Sequence, residues 1–262
     1  MLSSCSGAGG KEGQDLEKIK VENLCFAYPN GNQVLHNVSF CVKEGESVGL
    51  IGANGVGKST LLKLLVGLAD GYQGRIYVDG TAVEKRNLAA VRKSAGYVFQ
   101  DSDSQLFLST VYEDVAFGPR NYGCSEEETE RRTMEALRKV HLEDLRDRQI
   151  YRMSGGQKKL ASLATVLSME PEIMLLDEPS IALDPRNRRN LISVLNEITA
   201  AKVIASHDLD MIRDTCGRTV LLFGGRIVRD GRTEEILHDK QLLEENGLEL
   251  PLGLQRRGAG PD

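Results

Sequence analysis

Gly52-Ala53-Asn54-Gly55-Val56-Gly57-Lys58-Ser59 constrains this chain most, because a loop of that composition functions only between a buried strand and the first turn of a helix. The flanks meet that requirement: Ser47 to Ile51 reads as a buried strand and Lys58 to Leu68 as the helix leaving the loop. Alone, the pattern arises by chance in roughly one of a hundred chains this long. Two further segments follow in order, Met153-Ser154-Gly155-Gly156-Gln157 and Ile173-Met174-Leu175-Leu176-Asp177-Glu178. The coincidence of all three reduces chance to on the order of one in ten thousand. Flexible glycine-rich loops are thereby disfavoured, and a phosphate-binding α/β core is expected.

Residues Ile19 to Val42 alternate apolar and polar positions about Pro29-Asn30-Gly31, which reads as paired antiparallel strands. Further strands are expected over Gly74 to Val78, Ala95 to Phe99, Ile173 to Leu176, Lys202 to Ser206 and Val220 to Phe223, with a helix over Arg186 to Thr199. Met134, Leu137, Val140 and Leu145 keep helical spacing, and Ser125 with Glu128 forms a capping box. Residues 1–18 are expected to be a disordered lead-in, 19–240 the nucleotide domain with a helical subdomain at about 101–167, and 241–262 a tail.

A net charge of −5 and a pI near 5.6 argue against a nucleic-acid partner. The longest apolar stretch, Leu61 to Ala69, contains Lys63 and falls far short of the roughly 20 residues of a membrane span. The five cysteines lack any C-x-x-C pair, which suits buried thiols in a reducing compartment, so the chain is expected in the cytosol. His36, His141 and His238 show no ligand spacing and read as surface residues.

The chemistry of a triphosphate explains the motif residues. Gly52, Ala53, Asn54, Gly55, Val56 and Gly57 form the cradle, with backbone N–H groups from Asn54 to Ser59 converging at a helix N-terminus. Lys58 supplies a point charge for the outer phosphates, Ser59 a hydroxyl ligand for Mg²⁺, and Thr60 supports it. Asp177, ending a buried strand, is placed to hold Mg²⁺ through water, and Glu178 to act as general base. Elsewhere such a carboxylate would more often be a cap; behind a phosphate loop the balance reverses. Gln100 can touch both metal and water, His207 can orient the glutamate, and Tyr28 can stack on adenine.

With these residues, Ala182-Leu183-Asp184 and the Ser154-to-Gln157 signature in this order, the chain resembles the ATP-binding cassette family over about residues 19–240. The resemblance implies a P-loop NTPase fold, a RecA-like, mainly parallel sheet with an antiparallel β subdomain and an inserted α-helical subdomain. It also implies ATP and Mg²⁺ as cofactors and a second ATPase subunit, identical or related. Ser154, Gly155, Gly156, Gln157 and Asp184 would then act in trans on the other subunit's nucleotide. Val98-Phe99-Gln100-Asp101-Ser102-Asp103-Ser104-Gln105-Leu106-Phe107, Glu113-Asp114-Val115-Ala116-Phe117-Gly118-Pro119 and Gly247-Leu248-Glu249-Leu250-Pro251 look like the ATPase of energy-coupling factor importers. That likeness implies a transmembrane coupling protein, a small membrane capture protein and a peripheral place on the cytoplasmic face of the membrane. Single-cassette length and Phe117 to Gly123 look most like the cobalt and nickel branch.

Met153 replaces a usual leucine at little cost. Ile181 stands where a small residue is usual, and Leu160 and Thr165 where relatives often carry arginine, which puts local ion pairs in doubt. The absence of an Asn-Lys-x-Asp motif disfavours a GTPase, and neither a GTPase nor a small-molecule kinase explains the signature. Vitamin uptake, a conventional importer and a non-transport ATPase acting on ribosomes or DNA are the alternatives within the family.

Overall fold

The computed structural model describes residues 16–255. Strands β1 (Glu17–Ala27) and β2 (Gln33–Lys43) form the antiparallel hairpin, and β3 (Ser47–Ile51) leads through the glycine loop into α1 (Lys58–Leu65). Next come β4 (Gln73–Val78), β5 (Thr81–Ala82), α2 (Leu88–Ser94) and β6 (Ala95–Val98). Helices α3 (Val111–Asn121), α4 (Glu126–Lys139) and α5 (Gly155–Leu167) precede β7 (Ile173–Asp177). The rest is α6 (Pro185–Glu197), β8 (Ala201–Ala205), α7 (Leu209–Thr215), β9 (Arg218–Phe223), β10 (Arg226–Arg232), α8 (Thr233–His238), α9 (Lys240–Glu245) and α10 (Leu252–Gln255).

The main sheet has the order β10-β9-β3-β8-β7-β6, parallel except for β10 at the edge. Its parallel strands are buried on both faces, so they read as continuous apolar runs, and alternate residues enter two cores. Ile173 and Leu175 join Val48, Leu50 and Val203 under α1 and the smaller sheet β2-β1-β4-β5, whereas Met174, Leu176 and Ile204 face α5, α6 and α7. Because β6 and β7 are parallel neighbours, the chain must return along the sheet between them, and α5 makes that return. Helices α3 and α4 are therefore an insertion ahead of a crossover helix. Its N-terminus carries Ser154, the N-cap.

The expected α/β fold with both subdomains is observed. Several boundaries differ. Strand β1 begins at Glu17, inside the expected lead-in, and Lys18 is buried against Asp79 and Glu172; residues 1–15 and 256–262 lie outside the described residues. Helix α1 stops at Leu65 because the Gly67 N–H turns back onto Leu64 O, and β6 stops at Val98 because a side chain claims the Phe99 N–H. Ser125 accepts the Glu128 N–H, but the Glu128 carboxylate takes Arg131 and Arg132 instead of closing a capping box. Val140 and Leu145 fall beyond the end of α4. The expected tail is packed where described: Leu243 is buried, and Leu248 and Leu250 lie against the core. Leu160 is buried apolar core, which removes it from any surface ion pair, and Met153 is buried in the same core. Cys41 and Cys216 are buried and Cys25 and Cys124 partly exposed; Cys5 lies outside the described residues.

Candidate active site

The phosphate loop leaves β3 at the edge of the sheet where β7 and β8 also end, so Asp177, Glu178, Ser206 and His207 arrive beside it. Gly57, the N-cap of α1, has φ +108°, and a side chain there would meet Leu35 and Val34, so only glycine lets the loop turn so tightly onto the hairpin. At Gly55 there is open space, with nothing within 4 Å of where a Cβ would stand, and it is the backbone, φ +79°, that favours glycine. The first main-chain bond of α1 runs from Leu61 N–H to Gly57 O, which leaves the N–H groups of Lys58, Ser59 and Thr60 at the free helix end. These features fit a triphosphate. Asn54 and Gly55 are exposed at the mouth, and Ala53 and Val56 are half-buried.

Lys58 is buried, and its ammonium donates to Gly52 O at 2.7 Å and Ala53 O at 3.2 Å, 3.9 Å from Glu178 Oε1. Burial lowers its pKa, with Glu178 and Asp177 opposing that shift. Ser59 Oγ donates to Asp177 Oδ1 at 2.8 Å, and Tyr97 Oη donates to Asp177 Oδ2 at 3.0 Å. Burial and the Asp177 charge push the Tyr97 phenol upward, so it stays a donor. The hydroxyl and carboxylate make an all-oxygen donor set of the kind Mg²⁺ takes alongside phosphate oxygens.

Glu178 adopts a left-handed backbone, φ 47°, rare for a residue with a side chain. Its Oε2 accepts three hydrogen bonds, from His207 Nδ1–H at 2.7 Å, His207 N–H at 3.2 Å and Ser206 Oγ–H at 3.2 Å. Oε1 is left toward Lys58. The exposed imidazole of His207 thus has one nitrogen committed to the glutamate. Asp208 is bound bidentately by Arg188 of α6 at 2.6 and 2.7 Å. Burial alone would raise the Asp208 carboxyl, yet Arg188 and the Met211 N–H hold it below its ordinary value.

Tyr28 sits at the hairpin turn, edge-on to Phe26, with its hydroxyl 3.0 Å from Thr60 Oγ1. Gln100 is exposed where β6 ends. The signature residues stand apart: Ser154 accepts the Gln157 N–H while Gln157 Oε1 accepts the Ser154 N–H, a complete capping box, with Gly155 open to solvent. Gly156 lies against Asn187, which also bonds both carboxylate oxygens of Asp184 at the start of α6. The structure therefore gathers Tyr28, the loop, Asp177, Glu178 and His207 at one end of the sheet, and shows Ser154 and Asp184 as caps of α5 and α6. Among the described residues no cluster of three or more His, Cys, Asp or Glu forms a metal cage of its own.

Sequence reasoning missed Tyr97 and Ser206. An S-H-D run at a strand end and a lone tyrosine in an apolar strand were the available signals.

Fold and site together define a P-loop nucleoside triphosphatase. A model described as ABC transporter matches residues 35–181, more than half of the chain, and the chain belongs to that family. The energy-coupling factor transporter ATP-binding protein EcfA of Carboxydothermus hydrogenoformans is 44% identical over 237 residues, spanning 89% of this chain and 87% of the relative. EcfA of Methanocaldococcus jannaschii is 37% identical over 238 residues, 89% and 85% of the two chains. Among solved structures, CbiO1 of Clostridium perfringens, described as part of the ABC transporter complex CbiONQ, aligns with a TM-score of 0.79 at 34% identity over 92% of this chain and 97% of its own. A dimeric bacterial ABC transporter cassette aligns with a TM-score of 0.75 at 28% identity over 82% and 98%. The chain is thus an ATP-binding transporter subunit whose ATP hydrolysis is coupled to transport.

Proposed function

We propose that this chain is the ATPase of an energy-coupling factor importer, driving uptake of a transition-metal ion, cobalt or nickel, at the cytoplasmic face of the membrane. The observation carrying this reading is the near full-length similarity to CbiO1 and to EcfA proteins. No helix among the described residues is long and apolar enough to cross a membrane, so membrane passage falls to partner proteins, a transmembrane coupling protein and a small capture protein.

In the proposed cycle Tyr28 stacks on adenine, and the loop from Gly52 to Thr60 holds the phosphates while Lys58 turns from Gly52 O and Ala53 O toward them. When bound, Mg²⁺ neutralises phosphate charge; Ser59, Asp177 and Gln100 are the residues that would hold it. Ser206 and His207 fix Glu178 through Oε2, so the other oxygen, Oε1, takes the proton of the attacking water. Ser154, Gly155, Gly156, Gln157 and Asp184 complete the site of a second subunit, the helix end of α5 supplying donors for phosphate.

Tagging the chain in its native host, extracting membranes gently and identifying what co-purifies tests the transport reading. A coupling protein with a small capture protein and bound cobalt or nickel is expected. A vitamin-bound capture protein would replace the metal assignment, a permease pair with a binding protein would make this a conventional importer, and ribosomes or DNA alone would end the transport reading. For the site, Glu178→Gln should trap ATP in a stable dimer. Turnover by Glu178→Gln at the unmodified rate would refute the assignment.

A further inference from the structure

Where β6 gives way to Gln100, Gln105 and a side chain of α5 take three main-chain groups of Phe99 and Gln100. Gln105 Oε1 accepts the Phe99 N–H at 3.0 Å, while its Nε2 donates to Ser162 O at 2.7 Å and Thr165 Oγ1 at 2.8 Å on α5. Lys159, also on α5, donates from Nζ to Phe99 O and Gln100 O, both at 2.8 Å. Lys159 is only 3% exposed, and its ammonium is directed to two carbonyls rather than to a carboxylate. A long apolar side chain would fill the same space without removing a charge from water, so packing alone does not account for lysine here.

Five residues before Lys159, the same helix is capped by Ser154. Half-buried Lys158 continues the tie by pairing with Asp103 at 2.6 Å, beyond Gln100. The Gln100 main chain and the helix that presents the signature, already packed together where Gly96 of β6 meets Val166 of α5, are thus also tied by polar bonds at the point where the strand ends.

We propose that Lys159 and Gln105 are positioning residues for hydrolysis, a clamp that makes Gln100 and Ser154 move as one body when the helical insertion is displaced. The inference rests on the assignment of Gln100, Glu178 and the signature to the hydrolytic site. Neither clamp residue touches the phosphate loop, so ATP binding to a single chain is independent of them, and their effect falls on turnover.

The test uses the full-length chain with Lys159→Met, which keeps length and loses the donors, Lys159→Gln, which restores two donors on a shorter arm, and Gln105→Leu. Turnover at saturating MgATP and the Kd of trinitrophenyl-ATP are measured for each. Lys159→Met is expected to lower kcat by about tenfold to a hundredfold, the scale of an ångström-size misplacement. Its Kd should stay within twofold, and Lys159→Gln should recover part of the loss. A kcat loss below fivefold, or an equal loss of nucleotide binding, overturns the clamp. Gln105→Leu leaves Lys159 in place and is expected to show the same split, which decides the matter if Lys159→Met does not fold. A Glu178→Gln control that hydrolyses ATP normally would instead overturn the site assignment beneath the proposal.

Discussion

Replacing Lys159 with methionine should change how stability responds to alkali. Burial pulls the Lys159 ammonium down to about 8, with Asp177, Asp101 and Glu178 offsetting only part of the shift. Against the ordinary value of 10.5, the gap corresponds to about 3 kcal/mol, at about 1.4 kcal/mol for each pH unit. In the folded chain the charged form is the disfavoured one, so this cost is present in full below pH 8. Between pH 8 and 10.5 the unfolded chain binds the proton that the folded chain has released, and stability rises with pH. Lys159→Met has no such cost, but it leaves the Phe99 and Gln100 carbonyls without their donor, at about 1–3 kcal/mol for each unsatisfied group. The two variants should therefore be of similar stability at pH 7. Wild type should then gain about 2 kcal/mol over Lys159→Met from pH 8 to 9.5. Urea unfolding of both proteins across that range measures the difference, in which titrations shared by the two chains, such as those of Lys58 and Lys202, cancel. A difference that stays flat, or that falls, would refute the reasoning.

Tyr97→Phe removes one of two side-chain donors to buried Asp177 and should cost about 2 kcal/mol, seen as a lower Tm without nucleotide and a higher Mg²⁺ requirement for turnover; an unchanged Tm would count against the contact. Gly96→Ala would place a Cβ 2.3 Å from Val166 Cγ1, a stiff branched side chain, and should lower the urea midpoint by the equivalent of about 1–3 kcal/mol. Burial pushes the Cys216 thiol up to about 11, so native maleimide labelling at pH 8, read by mass spectrometry, should spare Cys216 while modifying partly exposed Cys25 and Cys124.

The phosphate loop, β3 and β7 were legible because each is a short local pattern whose chemistry is complete within a few residues. Helix α3 was not, since Gly118 and Pro119 are residues that disfavour a helix interior. The proline survives inside the helix because the Val115 carbonyl that its missing N–H would have bonded accepts Ser168 Oγ–H instead, a partner 53 residues away. Strand β10 was hidden by its mostly exposed, arginine-rich surface at the sheet edge. In the site, Asp177, Glu178 and His207 follow from strand ends, whereas Tyr97 reaches Asp177 across 80 residues and Lys159 reaches Gln100 across 59, distances at which no spacing rule operates. Thr165, where an ion pair was in doubt, hydrogen-bonds Gln105.

Strand β3 has no neighbour from the first half of the chain: Leu50 pairs with Ala205 and Ile51 with Leu221. During synthesis the phosphate motif therefore leaves the ribosome long before the strands that will hold it. A nascent chain halted before β8 carries every residue of the loop and yet lacks the frame that would aim it at a nucleotide. ATP accordingly has nothing to grip until the C-terminal third has been made, and ligand-assisted folding can act only on a nearly finished chain.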